Sequence, residues 1–149
     1  MTNLKAGDKA PDFSIPNQDG DTVSLNDFKG KKLVLFFYPK ASTPGCTAEA
    51  CNLRDNIDRF KNEGYEILGA SADSPKRQSN FKNKYDLPYD LLADENHDLL
   101  KAYQVWGPKK FMGREYDGIH RTTFVIDEDG VISDVIQKVK TKDHAAQIL

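Results

Sequence analysis

The chain has 149 residues, the length of one ordinary domain and enough to bury most of its unfolded surface without staples. Its 21 Lys and Arg against 23 Asp and Glu leave a net charge of -2, which gives no electrostatic reason to expect nucleic acid or an anionic membrane as partner. Mean hydropathy is -0.65 and no apolar run approaches the ~18 residues of a spanning helix; the opening Met1 to Asp8 lacks the apolar stretch of a secretory signal, so a cytoplasmic protein is expected.

No repeat, low-complexity segment or Pro/Gly/Ser linker divides the sequence, so a single domain over residues 1–149 is expected. In chain order, a small hairpin is predicted first, Phe13-Ser14-Ile15 against Thr22-Val23-Ser24 with Asp19-Gly20 at the turn. Leu33-Val34-Leu35-Phe36-Phe37-Tyr38 is apolar without alternation, the pattern of a strand covered on both faces, and Pro39 ends it. A helix over 45–62, closed by Gly64, leads to a second strand at residues 65–71, which gives a parallel crossover. Asp73-Ser74-Pro75 reads as the cap and first turn of a helix to about Tyr85. A short strand at Leu91-Leu92 and a helix over 96–103 follow. Val105, Trp106 and Phe111 read as core or pocket wall, and Gly107-Pro108-Lys109-Lys110 as a loop. Residues 121–126 and 131–136 are β-rich and flank Asp127-Glu128-Asp129-Gly130, a hairpin signal. The sheet of this α/β chain is therefore mixed, and residues 142–149 are weakly helical.

The two cysteines, Cys46 and Cys51, are too few for a disulfide framework or a four-ligand structural zinc site. His97, His120 and His144 show no ligand spacing and read as surface or loop histidines, so no metal is expected. On the 45–62 helix, Cys46, Ala50, Leu53, Ile57 and Phe60 form one apolar stripe. Cys51 lies about 140° round the axis, with Asp55, Asp58 and Asn62 on a polar face. A free cysteine there is harder to explain as packing than Cys46, which taken alone also fits a small residue filling a strand-to-helix junction; taken with Cys51, that is the lesser reading.

Thr43-Pro44-Gly45 places Cys46 in a helical first turn, where unpaired amides and the positive end of the helix dipole favour a thiolate. For any thiol, lowering the pKa from about 8.5 to ~6 raises the thiolate fraction roughly thirtyfold at neutral pH, but intrinsic nucleophilicity falls about tenfold, a net gain of only two- to threefold. Real acceleration of attack on a peroxide needs donors aimed at the departing oxygen.

Phe37-Tyr38-Pro39-Lys40-Ala41-Ser42-Thr43-Pro44-Gly45-Cys46-Thr47, followed by Ala50-Cys51 and Arg54-Asp55, resembles the active-site segment of the peroxiredoxins of the bacterioferritin comigratory protein (PrxQ) type. The stretch from Gly118 to Asp127 and the opening Gly7-Asp8-Lys9-Ala10-Pro11-Asp12-Phe13 are similar to that family too, so the likeness spans nearly the whole chain. The resemblance implies a thioredoxin-like fold and a thiol peroxidase working without metal or other cofactor. By position it implies that Cys46 is the peroxidatic cysteine, Cys51 the resolving cysteine, Thr43 a peroxide ligand, Pro39 a pocket shield, and Arg121 the cation that holds the thiolate and polarises the O–O bond. It also implies an intramolecular disulfide, recycling by thioredoxin or a similar dithiol, and a monomer. From the residues alone, Thr43 reads as a helix cap, Pro39 as a strand terminator and Arg121 as a surface cation. A second reading of the cysteine pair is a peroxide-responsive sensor or binding module.

Overall fold

The computed structural model describes residues 2–149. A five-stranded sheet runs β5 (Asp90–Ala93), β4 (Tyr65–Ser71), β3 (Lys32–Phe37), β8 (Thr122–Ile126), β9 (Ile132–Ile136). β3, β4 and β5 are parallel; β8 runs antiparallel to β3, and β9 to β8. The sheet is mixed, as expected. Strand β3 explains its unbroken apolar run: Leu33, Leu35 and Phe37 belong to one core, while Val34 and Phe36, with Tyr38 beyond the strand, belong to the core on the opposite face. The first core packs under the N-terminal hairpin of β1 (Ser14–Pro16) and β2 (Thr22–Ser24) and under helix α4 (Asp98–Ala102). The second lies beneath α1 (Pro44–Asp55), α2 (Ile57–Asn62), α3 (Pro75–Lys84) and the terminal helix α5 (His144–Ile148).

Three expectations are corrected. The helix predicted over 45–62 breaks at Asn56, between α1 and α2. The side-chain amide of Asn56 donates to the Asn52 carbonyl, the acceptor its own backbone N–H would use in a continuing helix, and that N–H turns to Leu53 O instead. The loop expected at 107–110 is strand: β6 (Trp106–Phe111) pairs with β7 (Arg114–Ile119) as a separate hairpin. Its turn, Met112-Gly113, has φ of 51° and 78°, a geometry usually announced by Asn-Gly or Asp-Gly, and Pro108 hid the ladder further. Phe111 at the tip is 65% exposed, so it is neither core nor pocket wall, whereas Val105 is buried and Trp106 packs against the core and stacks on His97.

Other signals behave as read. Ser74 caps α3 by accepting from Arg77 N, with Pro75 in the first turn. Asp127 Oδ1 accepts from the amides of Asp129 and Val131 to close the β8–β9 turn.

Close packing at the sheet centre makes a direct test. Gly69 on β4 lies between Phe36 of β3 and Leu91 of β5, and a Cβ there would meet Leu91 Cδ2 at 2.8 Å, Phe36 Cζ at 2.9 Å and Tyr38 Cε1 at 3.0 Å. Gly69→Ala is expected to destabilise the fold by about 1–3 kcal/mol in chemical denaturation, because these rings and this leucine are fully buried and have nowhere to move.

Candidate active site

Cys46 sits in the first turn of α1 and is buried, with its Sγ 3.3 Å from Nη2 of Arg121. Arg121 immediately precedes β8, so the antiparallel pairing of β8 with β3 carries the guanidinium to the helix that follows β3. Gly45 allows the approach: a Cβ there would stand 3.3 Å from Arg121 Nη2, tighter than such contacts normally are.

The other face of the guanidinium meets a group the sequence reading did not single out. Glu49, fully buried on α1, accepts from Arg121 Nη1 through Oε1 at 2.7 Å. Burial pushes its carboxyl up to about 7 even though Arg121 pulls it back. Glu49 stands three residues after Cys46, on the inward side of the helix beside Ala50 and Leu53, so a charge in that position of an apolar stripe was a readable signal. Lys109 lies on β6, in the segment expected to be loop. It is partly buried, donates to Ile119 O at 2.8 Å, and has its pKa lowered by burial and by Arg121, while the charge of Cys46 acts in the opposite sense.

Thr43 occupies the N-cap position of α1, with its carbonyl accepting from Thr47 N. Its hydroxyl does not cap the helix. It donates to Lys40 O at 2.7 Å, which closes the loop between β3 and α1. Asp73 clamps that loop from outside: its Oδ2 accepts from Ala41 N at 2.8 Å and from Ser71 Oγ at 2.7 Å. Tyr38, Gln78 and Ser71 continue the buried network behind it, Tyr38 donating to Gln78 and Gln78 to Ser71. Pro39 lines a shallow cavity with Trp106, Lys109 and Ile119, beside the β6–β7 hairpin.

Cys51 is half-buried on the other side of α1, beside Arg54 and Tyr89, and both thiols are free. The structure thus brings Cys46, Arg121 and Glu49 into contact and leaves Cys51 apart. Within the unbroken helix, Cα atoms five residues apart lie ~8.6 Å from one another and their side chains diverge, whereas a disulfide needs less than about 7 Å. His120 and His97 are half-exposed, as a loop reading expects, but His144 is not on the surface: it is fully buried against Thr123. A short helix at the chain's end gave no hint of this, because its inward face is only His144 and Ala145.

Residues 6–135 match the AhpC/TSA family. The chain is 51% identical over 149 residues to peroxiredoxin Bcp of Escherichia coli K12, covering all of this chain and 96% of the relative. It is 47% identical over 146 residues to peroxiredoxin Bcp of Bacillus subtilis, covering 98% of this chain and 93% of that one. Peroxiredoxin Q of Xanthomonas campestris superposes with a TM-score of 0.89 at 33% identity, covering 97% of this chain and 94% of that one. A mutant PrxQ of Xylella fastidiosa superposes with a TM-score of 0.92 at 28% identity, covering 99% and 94%. The chain belongs to the AhpC/TSA family, among its Bcp and PrxQ peroxiredoxins. The thioredoxin-like fold expected from the motif is the observed one.

The buried acid makes stability depend on pH. A carboxyl whose pKa is raised from 4.5 to about 7 on folding binds more protons in the folded than in the unfolded chain between those values. Its contribution is therefore full below about 4.5 and is lost as pH rises through about 7. Thermal melts of the wild type and Glu49→Gln across this window should show the wild type losing melting temperature with rising pH relative to the variant; parallel curves would contradict the assignment.

Proposed function

We propose that the chain is a thiol-dependent peroxidase that reduces hydrogen peroxide and organic hydroperoxides through Cys46. The thiolate attacks the terminal oxygen of the hydroperoxide; the S–O bond forms as the O–O bond breaks, Cys46 becomes a sulfenic acid that keeps the hydrogen of the attacked hydroxyl, and the departing alkoxide or hydroxide takes a proton from solvent and leaves as alcohol or water. The observation that carries this reading is the 3.3 Å contact between Arg121 Nη2 and Cys46 Sγ, at a helix start whose first amides have no intrahelical partner. Thr43 fits the role of peroxide ligand in one sense only. Its own proton is committed to Lys40 O, so its oxygen accepts the peroxide O–H and turns the second oxygen toward the guanidinium. Pro39, beside the cavity under the hairpin, shields the pocket.

Cys51 then attacks the sulfenic sulfur, the disulfide forms, and water leaves. This requires the first turns of α1 to unwind, because the helical positions are too far apart to bond. A dithiol protein such as thioredoxin returns the pair to thiols, and prompt resolution protects Cys46 from overoxidation. The Xanthomonas campestris bacterioferritin comigratory protein, whose structures are described as bearing on alkyl peroxide reduction, supports the organic hydroperoxide as substrate. The working unit is a single-domain cytoplasmic monomer that needs no cofactor.

The test is peroxide consumption with thioredoxin, its reductase and NADPH. Cys46→Ser abolishes it; Cys51→Ser reacts once and stops; Arg121→Gln slows the first oxidation by about 10²- to 10³-fold. Wild-type protein that oxidises once and never turns over is a sensor rather than a peroxidase. Far-UV circular dichroism of the oxidised form should show lost helix, and an unchanged spectrum would rule out the unwinding.

A further inference from the structure

The carboxyl of Glu49 is only half used by Arg121. Oε1 takes the guanidinium, but Oε2, equally buried, has no hydrogen-bond partner and faces Nε2 of His144 at 3.5 Å. The tautomer of His144 follows from its neighbours. Gln147 Oε1 accepts from the backbone N–H of Lys140 at 2.8 Å, and Gln147 Nε2 donates to Lys138 O at 2.9 Å, so the amide orientation is fixed and Oε1 is an acceptor. His144 Nδ1, 2.8 Å from that oxygen, therefore carries a hydrogen. In the neutral ring Nε2 is then a bare lone pair, free to accept from Thr123 Oγ1 at 2.7 Å.

An ionised Glu49 would set a carboxylate lone pair against this imidazole lone pair at 3.5 Å, with both side chains fully buried and the gap too short for a water to stand between them. One added proton resolves the conflict, whether it rests on Glu49 Oε2 or on His144 Nε2. The other groups around the pair do not supply it. Arg121 is a permanent cation, Tyr89 and Tyr38 are phenols whose burial keeps them neutral, Cys46 bears on the pair through Arg121, and Lys109 lies beyond Arg121.

We propose that His144 is a positioning residue for the peroxidase reaction, sharing one proton with Glu49 so that the carboxyl orients Arg121 without consuming its charge, which is left for the Cys46 thiolate and the peroxide. The inference rests on the peroxidase reading for its consequence. With the proton in place, Glu49, His144, Arg121 and the thiolate sum to zero charge. When it is lost they sum to -1, two anions share one guanidinium, and Cys46 is held less well.

The first experiment needs no change at His144. The ring-nitrogen NMR shifts of His144 are titrated between about pH 6 and 9 in wild-type protein and in Cys46→Ser. Because coupling between sites is reciprocal, removing the thiolate should move the pair's proton release down by about half a pH unit or more. Superimposable titrations overturn the proposal, and they do so whether or not the protein consumes peroxide. In the second experiment, the pH profile of single-turnover Cys46 oxidation by hydrogen peroxide is compared between wild type and His144→Phe. Loss of the imidazole acceptor weakens proton retention on Glu49, so the alkaline fall in rate should begin about one pH unit lower. A uniformly scaled profile of unchanged shape means that His144 only docks the terminal helix, and overturns the proposal. Absence of Cys46 oxidation in the wild type would instead refute the peroxidase reading.

Discussion

The guanidinium of Arg121, gripped by Glu49 on one side and offered to Cys46 on the other, is the constraint on which the rest of the site depends. A fully buried carboxyl and a largely buried guanidinium are costly to desolvate, and neither is tolerable there alone. Each therefore fixes the other, and the acid converts a mobile side chain at the start of β8 into a donor held in one orientation. The arrangement is possible only because the sheet order places β8 next to β3, and because α1 begins within a short loop of the end of β3. Topology brings the charge; Gly45 lets it reach the sulfur.

The same contacts that build the site also hold α1 to the body of the protein. Besides Glu49 and Arg121, Tyr89 donates to Ala50 O at 2.7 Å, and Asn52 binds both Ala145 N and Lys142 O. Ala50 and Leu53 pin the helix to the core beneath. On the proposed mechanism, oxidation weakens this set at its centre. A sulfenic acid carries no full charge for Arg121 to balance, so the contact that rewards the folded first turn diminishes at the moment when unwinding is required. The chemistry and the opening are thus linked through one hydrogen bond rather than through separate switches.

Much of the fold was legible because it follows from short-range rules. The continuous run at residues 33–38, the Ser74-Pro75 start of α3 and the Asp127 to Gly130 turn each state their structure in a few adjacent residues. The position of Cys46 was legible in the same way, through Thr43-Pro44-Gly45. What was hidden is what depends on partners remote in sequence. Arg121 lies 75 positions from Cys46, and only the family motif, not its own neighbours, marks it as more than a surface cation. His144 reaches Thr123 across 21 residues and comes from a helix of five residues that shows no periodicity. The break at Asn56 is a different case: it is local, but it turns on a side-chain amide winning one carbonyl from the backbone, a contest that an apolar stripe running through the position does not reveal.

The distance between the sulfurs bears on the order of events. On the proposed mechanism, a Cys51 on the same face as Cys46 could attack the sulfenic acid without any opening of the helix, and the folded first turn would not be reserved for the peroxide step. In that mechanism, Cys51 on the other side of α1, half-exposed beside Arg54, leaves the folded helix committed to the first step. Asp73 extends this commitment to the loop before the helix, since its bond to Ala41 N holds the backbone that presents Thr43. On that reading secondary structure itself separates the two reactions: the folded helix holds the attacking sulfur among its donors, and the unwound one permits the disulfide. A segment serving both in the proposed cycle must be stable enough to assemble the donors and must still open locally at less than the free energy of global unfolding.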